Sequence, residues 1–453
     1  MTDPNSERET WATKLGFLLA AAGSAIGLGN IWRFPTVAGE SGGAAFVLIY
    51  IAAVIAIGIP VMLAELVIGW QTRSNPVRAF VDLSDRKIWR FIGVIAVIAS
   101  LAILSYYSVI AAWTLAYVPI TFSGVFNESA NPELLSQRFA TVTESPYYSL
   151  VAYVVFMLVT MLVVLGGIRS GIEKWSKVLM PMLLAILILL VIRAVTLPGA
   201  AKGLSFFLKP DFSKVTTETV LNAVSQAFFS LSLGMGIMIT YGSYLSKDED
   251  IQSSAVMIAA IDTSIAVMAG LVIFPALFTI PGLEPAEGPK LIFLVLPRVF
   301  EQIPAGIFFG TGFFLLLTIA ALTSAISLME VVVTYLIEQW QLRRKTAVLI
   351  SGSAAMLLGI PTALSVGAVP LLSDLPILHC SVLDLLDTLF GKLCLTFVSL
   401  AICLFVGWTW GTDKALSGLE SDGRNHWLQK CWSFAVRYIC PVVITLILLS
   451  LVL

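Results

Sequence analysis

Eleven apolar runs, most of them at or above the ~20 residues that cross about 30 Å of hydrocarbon, dictate the class of this chain before any single residue is considered. They lie near 12–38, 43–71, 91–122, 147–167, 176–196, 218–245, 253–283, 307–337, 346–362, 381–408 and 432–453. The segments between them are too short for a soluble domain, and 58% of all residues are hydrophobic against 12% charged. A polytopic membrane protein follows. Lysine and arginine orient it: Arg73, Arg78, Arg86, Lys87 and Arg90 follow the second run, Arg169 and Lys174 the fourth, and Arg343, Arg344 and Lys345 the eighth, while Lys414, Arg424 and Lys430 precede the last. The opposite loops are poor in both, since 123–146 holds only Arg138 and 363–380 neither residue type. The positive-inside rule therefore predicts a cytoplasmic N-terminus and, with an odd count, a C-terminus outside.

Several chemistries have nothing to work with. A net charge of -1 offers no basic surface for nucleic acid. Two histidines, His379 and His426, and five cysteines without metal-type spacing leave little from which to build a zinc site, a disulfide framework or a histidine-based catalytic centre, so no enzyme is expected. The N-terminal MTDPNSERETW lacks the basic region and cleavage site of a secretory signal, so insertion falls to the first run.

The first run is interrupted at GSAIGLGN and the sixth at Ser230 to Gly236, SLSLGMG, and each opens a block of five runs. Glycine makes unwinding cheap, and unwound backbone in lipid persists only where protein or a water-filled cavity satisfies it. Breaks at matching positions in two halves point to an inverted-repeat transporter with its site at the bilayer midplane. Close helix packing through small residues is the simpler use of each glycine pair taken alone.

WATKLGFLLAAAGSAIGLGNIWRFP, QAFFSLSLGMG and AALTSAIS resemble the signatures of the neurotransmitter:sodium symporter family, and the resemblance runs over essentially the whole chain. It implies an all-α polytopic membrane protein of the LeuT fold, a 5+5 inverted repeat with unwound helices 1 and 6 and eleven transmembrane helices. The implied layout is a cytoplasmic segment 1–11, a first repeat 12–196, an extracellular loop 197–217, a second repeat 218–408, a cytoplasmic loop 409–431 and a last span 432–453. Eleven runs together with SLGMG are most similar to the bacterial branch that carries hydrophobic and aromatic amino acids. The implied function is sodium-coupled import of such L-amino acids by alternating access across a bacterial inner membrane, with no organic cofactor and no obligatory protein partner. A proton-coupled carrier and a sodium-dependent sensor that does not transport are the alternatives.

Amides exposed across Ala25, Gly27, Leu28 and Gly29 suit a substrate carboxylate, and freed carbonyls near Phe229, Ser230 and Ser232 suit an ammonium. Tyr107 adds a hydroxyl donor by resemblance, though the same residue also reads as an ordinary buried tyrosine. Around the substrate side chain the matching positions are Ile103, Phe229, Ser232, Met235, Ser324 and Leu328. Sodium wants oxygen ligands. The resemblance implies a first sodium site from Ala25, Asn30, Ser230 and Asp262, and a second from Gly23, Ile26, Ala320, Thr323 and Ser324. Thr323 and Ser324 could instead bond back to carbonyls four residues earlier.

Asp262 departs from the asparagine common in relatives. A mid-span carboxylate costs about 2.5–3.5 kcal/mol on insertion scales, so it should serve a partner, and a built-in negative charge predicts chloride independence even though Tyr50 and Gln226 occupy chloride-site positions. The resemblance further implies an outer gate of Arg33 with Asp387 and an inner gate of Arg8 with Glu338, aided by Trp11 and Tyr244; Arg33 alone would equally suit snorkelling to headgroups. Glu65 is expected to support the unwound part of the sixth run. Gly171 and Pro181 match a spacing at which relatives unwind the fifth.

Overall fold

In the computed structural model the described residues are 9–124, 132–279, 292–293, 296–301, 304–417 and 426–452. Among them the architecture is helical. The first apolar run forms α1 (Lys14–Ala25) and α2 (Gly29–Glu40), bent by 52° at the break between them. Unbroken long helices follow as α3 (Ala44–Thr72), α4 (Lys87–Phe122), α5 (Pro146–Leu165) and α6 (Ile168–Val195). The sixth run is again divided, into α7 (Thr217–Ser230) and α8 (Ile237–Gly242). The remaining long helices are α9 (Ile251–Leu277), α10 (Gly306–Trp340), α11 (Arg344–Leu364), α12 (Val382–Trp410) and α13 (Trp427–Leu451). Nine helices and the bent α1–α2 pair have the length and apolarity to cross a membrane among the described residues. The two halves of the sixth run are each too short to qualify alone.

Local chemistry sets the boundaries. Thr13 caps α1 by accepting from the Gly16 amide, and the helix stops at Ile26, whose ψ of 100° is extended. Thr216 and Thr219 form a reciprocal capping box at the start of α7. Between α7 and α8 the chain turns through left-handed conformations at Ser232 (φ 54°), Gly234 (φ 78°) and Gly236 (φ 71°), which the two glycines adopt without penalty.

The long helices α4 and α10 pack against each other and are the most enclosed, with 78% and 89% of their apolar windows buried, whereas α6 and α13 are only 28% buried. Lipid tails are as apolar as leucine, so helices associate through close packing and not through water expulsion. The contact of α3 with α8 shows how. A Cβ on Gly69 would overlap the Ile239 carbonyl, and one on Gly242 would lie 2.5 Å from the Leu66 carbonyl oxygen, so each glycine lets the other helix's backbone in.

Candidate functional site

The two breaks face each other, and their loosened backbone is satisfied by side chains from the surrounding helices. The amides of Gly27 and Leu28 do not continue α1: they donate to Asn30 Oδ1 (3.1 Å) and Tyr107 Oη (3.2 Å). The carbonyls of Gly23 and Ser24 thereby lose their helical donors. Ser24 is compensated twice, by the hydroxyls of Ser232 and Ser324, each at 3.0 Å. Opposite, the Gly234 amide donates to Glu65 Oε1 at 2.7 Å and Ser100 donates to the Met235 carbonyl at 2.5 Å. Gln226 Nε2 donates to the Gly29 carbonyl at 3.0 Å. Glu65 thus meets the unwound strand as its place in the sequence suggested.

Between the breaks lies a cavity of about 30 Å³. Of the residues matched to substrate contacts, Ala25, Gly27, Gly29, Ile103, Tyr107, Phe229, Ser232, Met235, Ser324 and Leu328 line it. Leu28 and Ser230 are not in its wall. Leu28 meets Tyr107 through its amide, and Ser230 lies on the neighbouring carboxylate. Ser24 and Ile237 line it unforeseen; each is a near neighbour in sequence of a residue already singled out. A cavity of this size holds a water or two, so a bulky side chain enters only if the lining moves.

Asp262 is fully buried, and its hydrogen-bond partners among the described residues are neutral donors. Asn30 Nδ2 reaches its Oδ1 at 2.7 Å and its main-chain carbonyl at 3.1 Å, Ser230 Oγ donates to Oδ2 at 2.8 Å, and Tyr50 Oη donates to Oδ2 at 3.5 Å. Tyr50 also donates to Ser230 Oγ at 3.3 Å. Asp262 makes no ion pair with any described residue, and a buried carboxylate without a cation is costly. A nearby small cation is what would offset such a charge. Of the first sodium set, Asn30, Ser230 and Asp262 come together directly, and Ala25 lies in the adjoining cavity wall.

The second set converges where α1 ends against α10. A Cβ on Gly23 would lie 3.4 Å from Thr323 Cβ. Thr323 Oγ1 donates to the Ala320 carbonyl at 3.0 Å and the Ile319 carbonyl at 3.3 Å, and Ser324 Oγ donates to the Ala320 carbonyl at 3.3 Å. The back-bonded use of these hydroxyls is therefore present. Ile26 ends α1 two residues after Ser24, whose carbonyl accepts from Ser324.

Arg33 does not pair directly with Asp387: its guanidinium lies 4.5 Å over the Phe229 ring, while Asp387 pairs with Lys392 Nζ at 3.3 Å and accepts from Tyr106 Oη at 3.2 Å. Lys392 occupies the same π-helical stretch, Asp387–Cys394, so that pair forms within one segment. On the other side Arg8 lies outside the described residues. Glu338 accepts from the amide and the side chain of Asn75 at 2.8 and 2.9 Å. Trp11 and Tyr244 do meet, through the Trp11 amide to the Tyr244 carbonyl at 3.2 Å. Their partners were missed. Glu330, fully buried, pairs with Arg344 through both nitrogens at 3.1 and 2.6 Å and accepts from Tyr244 Oη at 2.9 Å. An acid inside the apolar run SLMEVVV was the available signal.

Comparison with known proteins matches this geometry to a family. The family model described as the sodium:neurotransmitter symporter family matches residues 8–133 and 135–453. The chain is 39% identical over 443 residues to the sodium-dependent transporter YhdH of Bacillus subtilis, covering 98% of this chain and 97% of that one. It is 27% identical over 494 residues to the sodium- and chloride-dependent GABA transporter 2 of Rattus norvegicus, covering 97% of this chain and 79% of the relative. Among solved structures, MhsT in complex with L-phenylalanine superposes with a TM-score of 0.89 at 43% identity, over 98% of this chain and 100% of MhsT. With broken helices, facing unwound segments and matched length all in agreement, the chain belongs to the sodium:neurotransmitter symporter family.

Proposed function

We propose that this sodium-coupled transporter imports hydrophobic and aromatic L-amino acids by alternating access, uses two sodium sites and does not require chloride. The carrying observation is the buried carboxylate of Asp262, held by Asn30, Ser230 and Tyr50 with no cationic partner among the described residues, beside a largely apolar cavity. An amino acid offers that region a carboxylate and an ammonium; sodium completes the charge balance. In the occupied site Asn30 turns its Oδ1 toward the ion in place of Nδ2, and the Gly23 carbonyl faces a second ion beside Thr323. Tyr107 donates to the substrate carboxylate, while Ile103, Met235, Ile237 and Leu328 receive the side chain. L-phenylalanine in MhsT supports an aromatic substrate for this relative.

In this reading eleven crossings place the N-terminus in the cytoplasm and the C-terminus outside a bacterial inner membrane, with repeats 12–196 and 218–408 rocking about the site. Phe229 under Arg33 closes the outer side, and Trp11, Tyr244, Glu330 and Arg344 close the inner. Uptake of radiolabelled phenylalanine or leucine into proteoliposomes tests it. Accumulation should require an inward sodium gradient and persist with gluconate for chloride. Uptake driven by a proton gradient alone, or binding without uptake, defeats the proposal.

A further inference from the structure

Glu173 closes the first π-helical turn of α6, Ile168–Glu173, and its side chain is 2% exposed. Its oxygens are fully used, and two of the three donors come from the N-terminal segment. The Ala12 amide donates to Oε2 at 2.7 Å, Thr13 Oγ1 donates to Oε1 at 2.8 Å, and Lys177 Nζ donates to the same oxygen at 2.6 Å. Gly16 leaves room for this carboxyl, because a Cβ there would overlap it. One turn earlier the contact continues: Glu9 Oε2 accepts from the Ile168 amide at 2.6 Å, and Arg169 donates to the Thr10 carbonyl and hydroxyl at 2.9 Å each. The other side of the segment is tied to α8 by Trp11, whose indole donates to the Tyr241 carbonyl at 3.1 Å.

We infer that Glu173 is a positioning residue that clamps the start of α1 onto α6 and thereby sets sodium affinity at the second site. The link is the helix pair itself. From Glu173 the two helices run side by side to Met180, whose sulfur would lie 2.9 Å from a Cβ on Gly23, the residue that packs against Thr323 of α10. Releasing the lower end of α1 removes the restraint that keeps its upper end against α10. A charged acceptor matters because bonds to an ionised group are about twice as strong as neutral ones.

This inference rests on the transport reading above, and the two fail differently. Glu173→Gln removes the charge, and Gly16→Ala leaves the charge but pushes a methyl into its place. The reporter is Ser176→Cys, buried in α6, the helix that packs along α1, in a Cys431→Ser background that removes the exposed thiol, alkylated by a water-soluble maleimide. Both variants should raise the half-saturating sodium concentration for uptake and the sodium-free alkylation rate of the reporter by about 10-fold, the worth of one charged hydrogen bond. Saturating sodium should restore protection to the parental level. Parental values in both variants overturn the inference, as does faster alkylation that saturating sodium does not slow, which marks a loosened helix and no shifted equilibrium. Failure of the transport reading shows separately, as parental uptake that ignores sodium while the alkylation comparison still stands.

Discussion

Asp262→Asn is the substitution with the clearest consequence. The carboxylate is fully buried and faces Asn30, Ser230 and Tyr50, none of which carries a charge to offset it. A unit charge about 4 Å from a sodium ion at an effective dielectric constant near 20 contributes about 4 kcal/mol. At roughly 1.4 kcal/mol per decade that is on the order of 10³ in sodium affinity. An asparagine carbonyl still offers a dipole, so the expected rise in half-saturating sodium is roughly 100-fold or more in chloride-free medium. The same substitution leaves the Tyr50 and Ser230 hydroxyls and the Gln226 side chain around a site that has lost its negative charge. Chloride should therefore recover part of the lost affinity. Uptake into proteoliposomes, titrated with sodium in chloride and then in gluconate, measures both effects. An Asn variant with unchanged sodium dependence and no response to chloride would refute the charge-balance argument, because a carboxylate that merely ties α2 to α9 by hydrogen bonds is largely replaced by an amide.

Tyr107→Phe removes a hydroxyl that meets the Leu28 amide at 3.2 Å, so substrate binding measured by scintillation proximity should weaken by roughly 10-fold, the worth of a charged hydrogen bond, while sodium binding alone changes little. Arg344→Met strands fully buried Glu330, and breaking such a pair from one side costs about 3–5 kcal/mol; the variant should show inner-side cysteine reactivity even in saturating sodium, and Arg344→Met with Glu330→Leu together should recover part of the thermal stability in detergent. Gly69→Ala forces a methyl against the Ile239 carbonyl and should lower the melting temperature by several degrees, the shift expected of about 1–3 kcal/mol from overpacking; an unchanged melting temperature would mean α3 and α8 separate easily.

The helices were legible because lipid imposes a length and a hydropathy on every crossing. The predicted run 43–71 is α3 at Ala44–Thr72, and 307–337 is α10 at Gly306–Trp340. The breaks were legible because Gly23, Gly27 and Gly29 beside Asn30, and Ser232, Gly234 and Gly236 in one short stretch, recur at matching positions in the two halves. Side-chain pairing was less accessible. Arg33 and Asp387 both sit at span ends, yet which partner each takes depends on Lys392 five residues beyond the aspartate and on the Phe229 ring, neither of which spacing reveals. Glu330 stands out as an acid in an apolar run, but nothing in that run names its partner. Its partner Arg344 was counted only toward orientation, and the contact closes across fourteen residues through the turn joining α10 to α11.

The cavity and its wall explain what kind of selectivity such a site can have. At about 30 Å³ it is small. The backbone of the unwound segment is pinned, by Ser100 on the Met235 carbonyl and by Glu65 on the Gly234 amide, so adjustment has to come from side chains. Met235 suits that task, since an unbranched thioether repacks at little cost. An apolar wall discriminates weakly among apolar guests, with a methylene worth only about 1–3 kcal/mol. It rejects polar ones strongly, because a buried amide or charge among Ile103, Ile237 and Leu328 finds no partner. On the proposed reading the main chain at the two breaks would meet the zwitterion common to every amino acid, and the largely apolar part of the wall would meet its side chain. Competition against labelled phenylalanine should accordingly show leucine, isoleucine, methionine, tyrosine and tryptophan within about two decades of one another, the span a few methylenes allow, with glutamate and lysine far outside. A sharp preference for one size would place the adjustment in the backbone, and Ser100→Ala would then change the ranking.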